Sequence, residues 1–440
     1  KAAIDLHLPD KQFISSLNAQ VAHLMMSTVG RETRPGEPTN YPLAWQRDGV
    51  YEVVALARAG QLQVAKELST DFAEKDFFGG FGAEADAPGL SIWALEEVAV
   101  RLKQPEYDQW LWPHIHRKAE FILRMMTTPE PIHQPFEGPV VPKYKGNPDL
   151  TLVAEPTKNG LIVGRMDWHR PLLFINAVSY RGLLDAAELA DRVNQPADAQ
   201  RWRTAAAKLQ QAWEKAFQSP EAKNDRTYIS SLWPTWVADP QKAAFIQALQ
   251  ARWQKHRDDQ GGFRKPPLWT YFDLAEAHQW LFVDQPKPLW KTLEWFWNHQ
   301  ASPGLYTWWE GSGEENSFGL WEKVRGWVKP QHVTPHYWTA AEMLLLQLDL
   351  LAYTDLSANS PTMVIGAGIP QDWLKQPMSV RGLPMPNGKL DWQWDGQQMR
   401  VKIAGDAVNI RLGSMFPAGT PLKVEYSQAA SVNTKPKIEQ

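Results

Sequence analysis

Apolar residues recur at helical spacing through most of the chain and switch to strict alternation near its end. Residues 10–28 carry Phe13, Ile14, Leu17, Val21, Leu24 and Met25 on one face. The same spacing predicts helices over 50–58, 62–72, 90–102, 106–126, 172–192, 197–217, 240–253, 268–282 and 288–299. In a last helix after Pro335, Ala340, Met343, Leu344, Gln347, Leu348 and Leu351 form one stripe, and the proline suits a helix start. Paired, these segments make about six helical hairpins, with second helices beginning near Gly49, Gly89, Pro171, Thr227, Leu268 and His336. Each second helix follows a loop rich in Gly, Pro, Trp and acids. Six hairpins with the second helix inside close a mainly α toroid whose six loops converge on one mouth. No fixed repeat period supports an open solenoid.

From Pro361 the chain alternates at period two in TMVIGAGIP, MSVRGLP, KLDWQWD, QMRVKIAG and AVNIRLGS. Asn387-Gly388, Asp395-Gly396 and Gly405-Asp406 punctuate these runs as hairpin-turn dipeptides. The pattern predicts a helical domain over 1–356, a small C-terminal antiparallel β domain over 361–426 and an unpatterned tail over 427–440.

Composition narrows the function classes. A net charge of −3 over 440 residues, without a basic stripe or a like-charge block, speaks against nucleic-acid and membrane-surface partners. No apolar stretch is long enough to span a bilayer, and no cationic start with an apolar core marks a signal peptide. The first residue is Lys1, which fits a processed or trimmed product, and a secreted or periplasmic location is slightly favoured. With no cysteine, disulfides and thiolate chemistry are excluded. The unusual count is 23 tryptophans, many beside Asp, Glu, His or Gly.

The candidate chemistry centres on 301–349. Its first half packs Tyr306, Trp308 and Trp309 against Glu310, Glu314 and Glu315, with glycines between them. Carboxylates can serve a glycosidic oxygen and a water, and flat indoles suit the C–H faces of sugars. A Trp-rich packing loop with solvated acids is the competing reading.

The sequence also resembles a known group. YPLAWQRDG at 41–49, EADAPGLSIWAL at 84–95, the GRMDWHRP segment ahead of residue 172, TPHYWTAAEMLLL and IGAGIPQDWL are similar to elements of the (α/α)6-barrel glycoside hydrolases, most closely the glucoamylase-like enzymes. The resemblance implies an Arg-Asp pair (Arg47, Asp48) on sugar hydroxyls in the innermost subsite, with Trp45 as wall or platform. It implies a general acid just before the inner helix of the third hairpin, and inversion of the anomeric centre. In that group the acid is usually a glutamate in a Trp-Glu-Glu run, whereas Met166-Asp167-Trp168 stands here.

Asp167 is therefore the expected general acid, with a helix cap as its alternative role. Glu310 is the first choice for the base that activates water, ahead of Glu315 and then Glu314. Glu84 and Asp86 follow Gly79, Gly80 and Gly82 and are candidates for sugar contact, although Asp86 equally suits a cap. Trp168, His169, Trp308, Trp309, His336 and Trp338 are candidate subsite residues, each with core packing as the alternative. No organic cofactor and no metal is expected, since the histidines are scattered and no phosphate-cradling loop or nucleophile elbow occurs. The expected enzyme is an exo-acting, inverting glycosidase acting on α-linked gluco-oligosaccharides. Its rivals are a polysaccharide lyase using Tyr306 and His336, a non-catalytic glycan-binding protein, and a phosphorylase.

Overall fold

The computed structural model describes residues 4–38, 41–137, 149–262, 264, 268–312, 333–357, 361–386 and 388–427. Glu314 and Glu315 lie outside the described residues. Eleven α-helices are found among the described residues: α1 Lys11–Met26, α2 Gln46–Arg58, α3 Leu62–Glu74, α4 Ala87–Leu102, α5 Pro105–Thr127, α6 Leu172–Arg192, α7 Pro196–Phe217, α8 Lys242–His256, α9 Thr270–Phe282, α10 Pro286–Asn298 and α11 Tyr337–Leu351. Among these residues no helix is long and apolar enough to cross a membrane.

Burial divides the helices into two kinds. In α7 only Ala199, Trp202, Ala206, Leu209, Trp213 and Phe217 are buried, a stripe at three- to four-residue spacing with a solvated opposite face. In α11 every residue is buried, and in α2 everything from Gln46 to Ala57 is. A helix enclosed all round must be walled by other helices. α2 packs on α4, α4 on α6, α9 on α11, and α11 returns to α2; the gap between α6 and α9 is filled by a short 3-10 segment, Asp225–Ile229, that touches both. The α4–α6 crossing is close because glycines meet there. A Cβ on Gly89 would fall 2.4 Å from the carbonyl oxygen of Val178, and one on Gly182 would fall 2.7 Å from Gly89 Cα.

The fourth inner helix expected from Thr227 is not a helix. Asn224 caps the 3-10 turn by accepting from the Arg226 amide at 3.0 Å, and turns carry the chain on to Ala238. Pro234 supplies no amide for a helical ladder and disfavours helical backbone at Trp233. Gln279 of α9 satisfies the segment instead. Its Oε1 accepts from the amides of Leu232 and Trp233 at 2.9 and 3.1 Å, and its Nε2 donates to the Trp233 carbonyl at 2.9 Å. Two smaller differences concern burial and the long loop. Met25, expected on the apolar face of α1, is 39 % exposed. The loop before α6 holds a three-stranded sheet of β2 Ile132–His133, β3 Leu152–Lys158 and β4 Leu161–Gly164.

The C-terminal region is β-structured, but mixed rather than antiparallel. With β1 Asp5–His7, β7 Ala352–Asp355, β8 Thr362–Ile365, β9 Met378–Met385, β10 Gly388–Trp394, β11 Met399–Gly405, β12 Asn409–Leu412 and β13 Leu422–Ser427, it forms sheets ordered β1-β9-β10-β11-β13 and β12-β8-β7, while β5 Leu268–Trp269 and β6 Gly311–Ser312 form a separate two-stranded sheet. β13 runs parallel to β11, and β12 parallel to β8. Alternation along a strand reports its faces and says nothing of its partner's direction. Gly405-Asp406 is accordingly no hairpin turn, because β11 and β12 belong to different sheets. β1 comes from the start of the chain and pairs with β9; three residues are too few to show a period.

Candidate active site

The N-terminal ends of the inner elements are tied together by side chains from the loops that precede them. Arg47, in the first turn of α2, is the centre of one cluster and is nearly fully buried. Its Nη1 donates to Glu84 Oε2 and Asp86 Oδ2, both at 2.8 Å, and its Nη2 donates to Asp167 Oδ1 at 2.6 Å. Glu84 and Asp86 come from the loop before α4, and Asp167 from the loop before α6. Asp86 occupies the cap position of α4 yet makes no side-chain cap bond; it serves Arg47 instead.

Asp167 sits at the tip of a tight turn in which Met166 and His169 exchange both backbone hydrogen bonds, at 2.9 and 2.8 Å. Its φ of +49° is the left-handed region that hairpin tips require and that Asp tolerates better than most residues. α6 begins only at Leu172 with Pro171 in the cap position, so Asp167 caps no helix. Two further groups fix the turn. Arg165 donates to the carbonyls of Leu152 at 2.8 Å, Asp167 at 2.9 Å and Phe81 at 3.2 Å. Glu84 Oε1 accepts from the Asp167 amide at 2.9 Å. From the 3-10 segment, Arg226 Nη2 lies 3.6 Å from Asp167 Oδ2. Burial pushes Glu84 up to about 7 against the pull of Arg47.

Glu310 belongs to the loop before α11. Its amide donates to the Val333 carbonyl at 3.1 Å, and its carbonyl accepts from the Thr270 amide at 2.9 Å. Tyr41 Oη contacts both carboxylate oxygens, at 2.7 and 2.8 Å, and His336 Nε2 stands 4.0 Å from Oε1. Burial pushes Glu310 up to about 7; the Tyr41 hydrogen bond opposes this and the charge of Asp167 adds to it. Asp48 is held well above the usual carboxylate range by burial, opposed by Arg47, with Glu310 and Asp167 reinforcing the rise. His336 is driven down to about 3 by burial, which keeps its ring neutral, and its Nδ1 hydrogen-bonds Thr339 Oγ1 at 2.7 Å.

Aromatic rings surround these groups. Trp45 is buried edge-on against Tyr41 and Phe81, and Phe81 carries Trp168 at 4.8 Å between ring centres. Trp168 and His169 are exposed at the rim. Trp338 stacks on Tyr271 at 3.5 Å, with the Arg47 guanidinium 6.0 Å from its ring centre. Arg47 Nε, His336 Nε2 and Trp338 Nε1 are buried without a hydrogen-bond partner among the described residues. Trp308 does not join the site. It is 1 % exposed, and its Nε1 donates to the Phe296 carbonyl at 2.8 Å in the core beside α10. Neighbouring residues of an extended segment point to opposite sides; Trp309 is half-buried. Tyr306, the tyrosine of the lyase alternative, is tied by its backbone to Gln20 of α1 and to Gln300.

Sequence reasoning missed Tyr41, Arg165 and Arg226 as members of the site. Tyr41 stands only four residues before Trp45, inside a segment already singled out. Arg226 lies in the first turn of the 3-10 segment that takes the fourth inner place, and that position was the signal available in the sequence. Among the described residues, His116, Glu120 and Asp198 lie close enough to hold a metal ion, but they sit on α5 and α7. Arg201 already donates to both carboxylates, at 2.9 and 2.6 Å.

No protein-family model and no curated protein matches the sequence. Solved structures do share its fold. A GH78 family rhamnosidase from a Bacillus species aligns with a TM-score of 0.60 at 11 % identity over 97 % of this chain and 44 % of that one. A glycosidase solved in complex with glucose aligns at 0.56 and 12 % identity, over 77 % of this chain and 97 % of that one. An α-L-rhamnosidase of Streptomyces avermitilis complexed with L-rhamnose aligns at 0.53 and 10 % identity, over 90 % and 36 %. This chain thus spans less than half the length of those two rhamnosidases.

Proposed function

We propose that this chain is a glycoside hydrolase built on an (α/α)6 toroid, exo-acting and inverting on α-linked gluco-oligosaccharides. The observation that carries the reading is the pairing of Asp167 and Glu310. They are two carboxyl groups from different loops at one end of the helix ring, and the charge of one raises the proton affinity of the other. The closure of the ring through α2, α4, α6, the 3-10 segment, α9 and α11 supports the toroid, as does the fold shared with glycosidases.

In this reading Asp167 protonates the glycosidic oxygen while Glu310 removes a proton from a water that attacks the anomeric carbon from the opposite face. The C–O bond to the leaving sugar breaks as the bond to water oxygen forms, and the product has the inverted configuration. Both proton transfers run in the direction the surroundings favour. The carboxylate left on Asp167 is stabilised by Arg47 and faced by Arg226. The proton gained by Glu310 relieves a buried charge. Arg47 Nε, His336 Nε2 and Trp338 Nε1 are buried polar atoms whose partners are then sugar hydroxyls. Trp45, Phe81 and Trp168 supply the apolar face, and Glu84, Asp86 and Asp48 orient Arg47 and the sugar.

The Arg47 contact also favours a second assignment in the resting protein, with Asp167 ionised as base and Glu310 as the proton-bearing acid. Leaving-group dependence separates the two. An α-D-glucosyl fluoride needs no acid. If Asp167 is the acid, Asp167→Asn cleaves the fluoride but not an α-linked disaccharide, and Glu310→Gln cleaves neither. The opposite pattern assigns the roles in reverse. A parent protein inert toward α-linked glucosyl substrates rules out the proposed specificity, and one inert across a broad panel of α- and β-linked oligosaccharides rules out the hydrolase.

A further inference from the structure

The other end of the same helix ring holds a cavity of about 430 Å³, walled by the last turns of α2, α4, α6, α9 and α11 and by 383–386 of β9 and the residue after it. This falls within the size range of small-molecule sites. It is built by the fourth inner element, the one that departs from helix. The turn after the 3-10 segment delivers Trp233, Pro234 and Trp236 to the cavity wall, and Trp236 has φ +62°, a conformation a bulky side chain adopts only where its surroundings impose it. Phe282 and Tyr353, stacked at 4.5 Å, extend the aromatic surface.

The polar wall consists of guanidinium–carboxylate pairs. Arg58 is bidentate to Glu97, at 2.9 and 2.7 Å, and bonds both oxygens of Asp349, at 3.0 and 3.1 Å. Arg101 bonds Glu97 at 2.7 Å, Arg181 pairs with Asp185, and Arg192 reaches Glu96 Oε2 at 2.7 Å. Four arginines and five carboxylates line the cavity, so charge is nearly balanced and the arginines are already engaged. That balance disfavours a phosphate or another strong anion. Two buried donors on these walls, Trp233 Nε1 and Arg101 Nε, have no hydrogen-bond partner among the described residues.

An aromatic wall, fixed donors and acceptors, and near-neutral charge together fit a small uncharged polyhydroxylated molecule. We propose that this cavity is a second binding site, separate from the Asp167–Glu310 mouth, for a neutral polyol or free hexose. The inference does not rest on the hydrolase reading and is tested without catalysis.

D-glucose and inorganic phosphate are titrated separately into the full chain, followed by calorimetry and tryptophan fluorescence. Leu184→Trp and Leu356→Trp are measured alongside. Both positions line the cavity; Leu184 is half-buried and Leu356 lies on the exposed rim, so the added ring fills space without removing an ion pair. The expected result is saturable D-glucose binding with a dissociation constant on the order of 1 mM. It is weakened at least about tenfold by the folded filled variants. The rim variant keeps the test decisive if the half-buried one fails to fold. Glucose binding unchanged in a folded filled variant, saturable phosphate binding without glucose binding, or no glucose binding at all would each overturn the proposal.

Discussion

Arg47 and Arg58 stand at opposite ends of α2, roughly 16 Å apart along its axis, and each gathers carboxylates from neighbouring elements. At the Arg58 end the partners, Glu97 and Asp349, sit on helices α4 and α11 and are gripped through both oxygens. Although Glu97 is buried, Arg101 and Arg58 hold it well below the usual carboxylate range. At the Arg47 end the partners come from loops, and the nearby Glu310 is held by a phenol, so burial wins and its proton affinity rises to about 7. Arginine–carboxylate clusters alone therefore do not mark a catalytic site. A raised carboxyl group alone does not mark one either, since burial also pushes Asp185 beside the Arg58 cluster up to about 7. What sets the Arg47 end apart is that its carboxyl groups are delivered by separate loops to one end of the ring, whereas those at the Arg58 end sit on the helices themselves.

If the comparison is right, substitutions at the two ends fail differently. Asp167→Asn and Glu310→Gln are each expected to lower kcat/KM on an α-linked disaccharide by about 10²–10⁴-fold with little loss of thermal stability. Arg58→Met is expected to do the reverse. Stranding buried carboxylates costs about 3–5 kcal/mol, read from urea unfolding, while kcat of the folded fraction stays within about twofold. Activity abolished at unchanged stability by Arg58→Met would break the comparison.

Smaller effects sharpen it. Glu310 titrates near 4.5 unfolded and about 7 folded, so its contribution to stability is fully present below pH 4.5 and lost as pH rises through 7. Glu310→Gln removes that dependence, and the variant should gain up to about 3 kcal/mol on the parent between pH 4.5 and 8. Tyr41→Phe deletes the hydrogen bonds that favour the carboxylate. The acidic limb of the pH–activity profile should move upward, with a loss of about tenfold in kcat at pH 6.

Much of the architecture is legible in the sequence because outer helices such as α7 must show one apolar stripe. Inner ones such as α11 are enclosed all round, and their few polar residues, Glu342 and Asp349 among them, are buried against partners on neighbouring helices. What escapes is set by long-range partners. The turn at Trp233-Pro234 is completed by Gln279, some forty-five residues on, and the parallel pairing of β11 with β13 leaves no local trace. Within the candidate site, the Trp- and acid-rich loop pointed to Glu310 and the family resemblance to Arg47 and Asp167, and the structure places all three at one end of the ring. Proton affinity is a property of burial and neighbours, so neither the raised Glu310 nor the phenol of Tyr41 upon it could be read from spacing. Trp308 and Trp309 are indistinguishable in composition, and only packing sends the first into the core.

The most direct test of the account is a proton NMR time course of α-linked gluco-oligosaccharide hydrolysis by the parent protein and by Glu310→Gln. The account predicts that a β-configured sugar appears first, before mutarotation, and that the variant releases none. Release of the α anomer first, or full activity in the variant, would contradict it.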